Sequence, residues 1–138
     1  MATSKLLVRA TAVASRCAAA VMVGSAMRLP VSAAEQGTLL FQAKCVGCHA
    51  GGGNVVVRGG KTLSRPDLEA NGVYSRAAVA DIVGLGQGAM PGFGETCAPK
   101  GKCTFGPRLT ESEITAVSLY VLDEANADWK GTTGGNEQ

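Results

Sequence analysis

Short helical patterns separated by glycine-rich breaks run along the chain, and no stretch shows the strict alternation of a half-buried strand. Residues 35–48 read as a helix, with Leu39, Leu40 and Ala43 at helical spacing, Phe41 adjacent and Gly37 before them. Residues 50–60 hold Gly51, Gly52, Gly53, Gly59 and Gly60 and read as a loop, because so many glycines leave the backbone too free for regular structure. Within it, Val55, Val56 and Val57 have the composition of a short strand without an obvious partner. Residues 66–71 form a second, short helix, with Ser64 as N-cap and Asn71-Gly72 as stop signal. Ser75 caps a third over 76–83, with Val79, Ile82 and Val83 on one side, and Gly84, Gly86 and Gly88 end it. Residues 89–108 have no helical period, contain Pro91, Pro99 and Pro107, and read as a long loop. The last helix has the clearest signal. Thr110-Glu111-Ser112-Glu113 matches a capping box, and Ile114, Val117, Tyr120 and Val121 recur on one face up to an end near Ala127. Trp129 reads as packing near the C-terminal end, and the tail 131–138 as disordered. The pattern predicts an all-α class.

A chain of 138 residues with 4% aromatics and 19 glycines has limited apolar material for a core, and a flat apolar cofactor would make up the shortfall.

Residues 1–33 read as a targeting segment. Lys5, Arg9, Arg16 and Arg28 occur without any acidic residue, an apolar run over 17–27 follows, and Val31-Ser32-Ala33 offers small residues for cleavage after Ala33 or Ala34. The apolar run is far short of the roughly 20 residues that span a bilayer. Arg28 and Pro30 interrupt the competing reading, a buried helix. Without the segment's 4 basic residues, the 13 basic residues of the chain become 9 against 11 acidic, and the net charge passes from +2 to −2. Nothing in that balance suggests nucleic-acid binding.

Of five cysteines, Cys17 leaves with the segment; Cys45 pairs with Cys48 and Cys97 with Cys103, as suits an oxidising compartment. Cys45-Val46-Gly47-Cys48-His49 is the c-type haem attachment signature. Two thiols at this spacing can each form a thioether to one haem vinyl group, and the adjoining His49, the only histidine, supplies the proximal nitrogen. Two other readings compete. A thioredoxin-like dithiol expects a βαβ context, which is absent. A zinc site would join all four cysteines, but ignores the position of His49.

Met90 is the expected sixth ligand. It lies 41 residues after His49, in Ala89-Met90-Pro91-Gly92-Phe93, and is the only Met after residue 33. A His and Met pair is the usual axial set of a one-electron carrier. With both positions filled the iron has no open site for substrate, which favours electron transfer over enzymatic chemistry. Pro99 and Gly101 between Cys97 and Cys103 allow the chain to fold back into a disulfide. Its short loop implies a small effect on stability, below the roughly 3 kcal/mol of a 15-residue loop.

Residues 35–130 resemble the photosynthetic cytochrome c6 group of class I c-type cytochromes. The matching stretches are Phe41 with Cys45 to His49, Lys61-Thr62-Leu63, Asp67-Leu68-Glu69 with Asn71-Gly72, Ala89 to Phe93, and Arg108-Leu109-Thr110. The resemblance implies a class I cytochrome c fold over 34–130, about four helices around one covalent haem c. Two departures point to a subgroup. An insertion over 94–107, with Cys97 and Cys103, resembles that of cytochrome c6A of green algae and plants. Eight residues before Met90, where ordinary members place a Gln beside the haem, stands Ile82, as an aliphatic does in the insertion-bearing subgroup. Loss of the amide dipole implies a lower potential, and about 59 mV changes a one-electron equilibrium tenfold.

The resemblance also implies a monomeric carrier in the thylakoid lumen, peripheral at most to the membrane; an exported bacterial compartment is the alternative. Its redox partners would be the cytochrome bf complex and photosystem I, or a lumenal thiol protein, with Arg108 in docking. Two further functions stand beside this one: dithiol oxidation through Cys97 and Cys103, with Lys100 and Lys102 favouring thiolate, and a redox sensor whose disulfide regulates docking. Arg108 as a surface ion pair and Lys61 as a solvated residue or a propionate contact are the plainer readings of those charges. The resemblance further implies that Gly37, Phe41 and Tyr120 join the terminal helices.

Overall fold

The computed structural model describes residues 31–57, 59, 61–98 and 102–131; most of the expected targeting segment, the tip of the insertion and the tail from 132 lie outside the described residues. Its helices start where the side-chain caps are. Thr110 opens α5 (Glu111–Asn126), with its backbone N–H donating to the Glu113 carboxylate at 2.8 Å and its hydroxyl accepting from the Glu113 N–H, a complete capping box. Ser64 caps α3 (Arg65–Ala70) and Ser75 caps α4 (Arg76–Leu85) by the side-chain half of that motif alone, each hydroxyl accepting from a backbone N–H, of Asp67 and Ala78. Ser32 caps α1 (Ala33–Lys44), so that helix begins at the expected cleavage point.

The core forms where α1 crosses α5. Phe41, Val117, Tyr120, Val121, Ala125 and Trp129 are all buried, and the Phe41 ring lies 5.2 Å from both Tyr120 and Trp129. Gly37 permits the approach: a Cβ there would lie 2.4 Å from the Ala116 carbonyl oxygen. The contact expected of Gly37, Phe41 and Tyr120 is therefore present. The face read for α1 is corrected. Leu39 is 60% exposed and Ala43 is exposed, while Gly37 and Phe41, four residues apart, are the buried pair.

Three further expectations are corrected. The expected helix 35–48 is two: it breaks at Cys45, after which α2 (Val46–His49) runs into a 3₁₀ turn, Ala50–Gly52. Five α-helices result among the described residues, where about four are expected. The all-α reading also lacked a small hairpin, β1 (Gly86–Gln87) paired antiparallel with β2 (Met90–Pro91), inside and just before the expected loop 89–108. Val55, Val56 and Val57 form no strand and are exposed.

Candidate haem site

The Cys45–His49 motif occupies one helical turn. The Cys45 N–H donates to the Phe41 carbonyl at 2.9 Å and ends α1; the Cys48 and His49 N–H groups then both donate to the Cys45 carbonyl, at 3.0 and 2.9 Å. His49 Nδ1 lies 2.9 Å from the Gly53 carbonyl oxygen. A carbonyl only accepts, so Nδ1 carries the proton and Nε2 keeps its lone pair for a metal. Burial pushes the Cys45 thiol up to about 11. Cys48 is exposed.

Met90 reaches the same place from the other side of the chain. The segment that carries it is tied to the end of α4: the Phe93 N–H donates to the Val83 carbonyl at 2.8 Å and the Gly94 N–H to the Gly84 carbonyl at 2.9 Å. One apolar cleft, open to solvent, has Cys45, His49, Ile82 and Met90 on its walls, together with carbon side chains that include Leu68, Val79, Val83 and Val121. This is the lining a flat apolar ring needs, with an imidazole and a thioether as the iron donors.

Cys97, Cys103 and Arg108 do not line the cleft; they meet at Gly92. Cys97 and Cys103 form a disulfide, Cα atoms 6.0 Å apart. The insertion clasps Gly92, whose N–H donates to the Lys102 carbonyl at 2.7 Å while its carbonyl accepts from the Thr104 N–H at 2.8 Å and Arg108 Nη1 at 3.3 Å. A Cβ at Gly92 would fall 2.6 Å from the Cys97 sulfur. Neither an ion pair of Arg108 nor one of Lys61 occurs among the described residues. The disulfide removes two thiolates from the four-cysteine zinc reading, and no cluster of metal-ligating side chains occurs among the described residues.

Two features of the site escaped the sequence. Gly92 stood out only as part of the Met90 motif, although it is where the insertion meets the Met segment. The Thr62 hydroxyl donates to the Asp67 carboxylate at 2.5 Å, and the Thr62 N–H to the same oxygen at 3.1 Å, which pins the loop before α3. Thr62 and Asp67 stood out only as parts of two stretches that carry the family resemblance, with no bond between them foreseen.

A helical fold, a haem attachment turn and a cleft with His and Met on its walls define a c-type cytochrome. The family described as cytochrome c oxidase, cbb3-type, subunit III matches residues 32–102. The chain is 44% identical over 95 residues to the chloroplastic cytochrome c6 of Arabidopsis thaliana, a match covering 69% of this chain and 54% of that one. It is 44% identical over 97 residues to cytochrome c6 of Rippkaea orientalis, covering 70% and 76%. The crystal structure of oxidized cytochrome c6A from Arabidopsis thaliana superposes with a TM-score of 0.67 at 42% identity, covering 72% of this chain and 97% of that one. The chain belongs to the cytochrome c6 family of photosynthetic electron transport, is most like its insertion-bearing c6A subgroup, and carries one covalently bound c-type haem. It is an electron carrier with redox protein partners. No described helix is long and apolar enough to cross a membrane.

Proposed function

We propose that this protein is a one-electron carrier of the thylakoid lumen whose haem is held by Cys45 and Cys48, with His49 and Met90 as axial ligands. The convergence of His49 and Met90 on one apolar cleft carries this reading. The haem, when bound, supplies a one-electron ferric/ferrous couple. The Gly53 carbonyl holds the His49 ring in the tautomer that presents Nε2. Met90 supplies a soft thioether that favours the ferrous form. Leu68, Val79, Val83 and Val121 keep water from the cleft walls. Ile82 presents no dipole there, so the potential lies below that of ordinary members. Arg108 is exposed and serves docking, with the cytochrome bf complex, photosystem I or a lumenal thiol protein as the partner. The chloroplastic relative supports the compartment, with residues 1–33 as the import segment. The test is Met90→Ala: the haem stays covalently attached and its low-spin spectrum changes to that of a lost sixth ligand. An unchanged spectrum excludes Met90.

A second reading rests on the disulfide, whose Cys97 sulfur packs on Gly92, two residues from Met90. Forming that bond from the dithiol releases two protons to solvent and two electrons, and a one-electron carrier accepts the electrons one at a time in two turnovers. Dithiol oxidation then accompanies electron transfer. The reduced dithiol mixed with ferric protein is to yield ferrous haem and lost thiols; haem that stays oxidised beside free thiols ends this reading and leaves a structural or docking-regulating disulfide.

A further inference from the structure

The chain leaves α5 through an unusual turn. Asp128 and Trp129 are consecutive non-glycine residues with φ of 54° and 57°, a left-handed conformation that L residues adopt rarely and at a cost. The Trp129 N–H donates to the Glu124 carbonyl at 2.8 Å and closes this turn. The result is to send the indole back under the molecule, where it is 5% exposed.

Three contacts then lead from the indole to the haem motif. Trp129 Nε1–H donates to the Leu63 carbonyl at 3.0 Å. The Leu63 N–H donates to the Gly52 carbonyl at 2.7 Å. The indole also lies directly on Gly52, where a Cβ would stand 2.4 Å from ring atoms Cδ1 and Nε1. The next carbonyl along the chain, that of Gly53, is the acceptor for His49 Nδ1 at 2.9 Å. Gly52 and Gly53 belong to a glycine-rich stretch with little conformational preference of its own. Within the turn the Gly53 N–H donates to the Ala50 carbonyl at 3.0 Å, and from outside the indole holds Gly52 both by direct contact and through Leu63.

We propose that Trp129 is a positioning residue for His49, fixing through Gly52 and Leu63 the Gly53 carbonyl that accepts the imidazole proton. It rests on the reading of His49 as the axial ligand. A firm Nδ1–H···O bond makes the imidazole a stronger donor and stabilises ferric iron; a loose one makes it weaker. Slackening the support therefore raises the midpoint potential. Simple loss of packing acts in the opposite direction, because admitting water to the cleft stabilises the charged ferric state. The sign of the shift separates a positioning role from a packing role.

The experiment uses the haem-bearing protein and two variants. Trp129→Phe keeps an aromatic ring against Phe41 and Tyr120 and deletes the indole donor. Gly52→Ala keeps the indole and forces it off the 52–53 backbone. Solvent exchange of the His49 Nδ1 proton is followed by NMR, beside the midpoint potential and thermal stability. Loss of one supporting hydrogen bond is to speed exchange roughly five- to tenfold through easier local opening. The midpoint rises in both variants. Wild-type exchange with a wild-type or lowered midpoint in Trp129→Phe overturns the proposal and leaves Trp129 as core packing. A wild-type protein whose spectrum lacks histidine ligation overturns instead the assignment of His49, so the two failures are distinguishable.

Discussion

Gly37 and Tyr120 stand so close that a Cβ on Gly37 would lie 2.9 Å from the Tyr120 Cβ, with the Ala116 carbonyl oxygen nearer still. The two terminal helices meet at backbone contact there, and the Phe41 ring, one turn further on, packs against Tyr120. Gly37→Ala gains about 1 kcal/mol of helix propensity, but must force α1 off α5. The net expectation is a loss of about 1–3 kcal/mol, read by denaturant unfolding of the holoprotein. Stability equal to wild type would contradict the contact.

Ile82 borders the same cleft as His49 and Met90 and brings no polar atom to it. Ile82→Gln places an amide dipole there, and redox titration is to show a higher midpoint. An unchanged midpoint means that Ile82 acts only as an apolar helix residue.

Hydrogen bonds from the Thr62 hydroxyl and backbone N–H hold the Asp67 carboxyl below the usual carboxylate range. A carboxyl with a lower value folded than unfolded adds stability above its unfolded value, about 3.9, and loses it as pH falls through the folded one. Thermal melts from pH 6 to pH 2 therefore lose the Asp67 contribution below about pH 4 in the wild type. Thr62→Val removes the larger of the two hydrogen bonds and makes that acid limb shallower. Parallel curves for the two proteins would show that Asp67 does not contribute.

The disulfide closes a short loop, so Cys97→Ser with Cys103→Ser costs the whole domain less than about 3 kcal/mol. Its effect is local. Amide exchange at Gly92 and Thr104, the hydrogen bonds by which the insertion clasps the Met90 segment, rises ahead of exchange in α1 and α5. A uniform rise across the domain would mean that the clasp does not depend on the disulfide.

The caps at Ser64, Ser75 and Thr110, the buried stripe of α5 and the Cys45–His49 turn were legible in the sequence, because each is made by groups a few residues apart. The pairing of Cys97 with Cys103 belongs with them, since Pro99 and Gly101 sit between the two thiols. The buried face of α1 was not legible in the helical period alone, although the family resemblance named Gly37 and Phe41. Leu39, Leu40 and Ala43 satisfy the helical period as well as Gly37 and Phe41 do, and the choice is made by α5, which only the glycine face can approach. The segment 89–108 showed no period because its order comes from hydrogen bonds to α4 and between Gly92 and the insertion. By itself, then, the sequence determined the helices, their caps, the haem motif and a candidate sixth ligand. Only the tertiary structure brought Met90 and Ile82 to the cleft of His49, set the disulfide on Gly92, and laid Trp129 on Gly52. The physical reason is range: periodicity and capping record interactions within a turn or two, whereas the approach of Met90 and Ile82 to His49 and of Trp129 to Gly52 joins residues tens of positions apart, and the disulfide's seat on Gly92 is a contact of irregular chain that leaves no period.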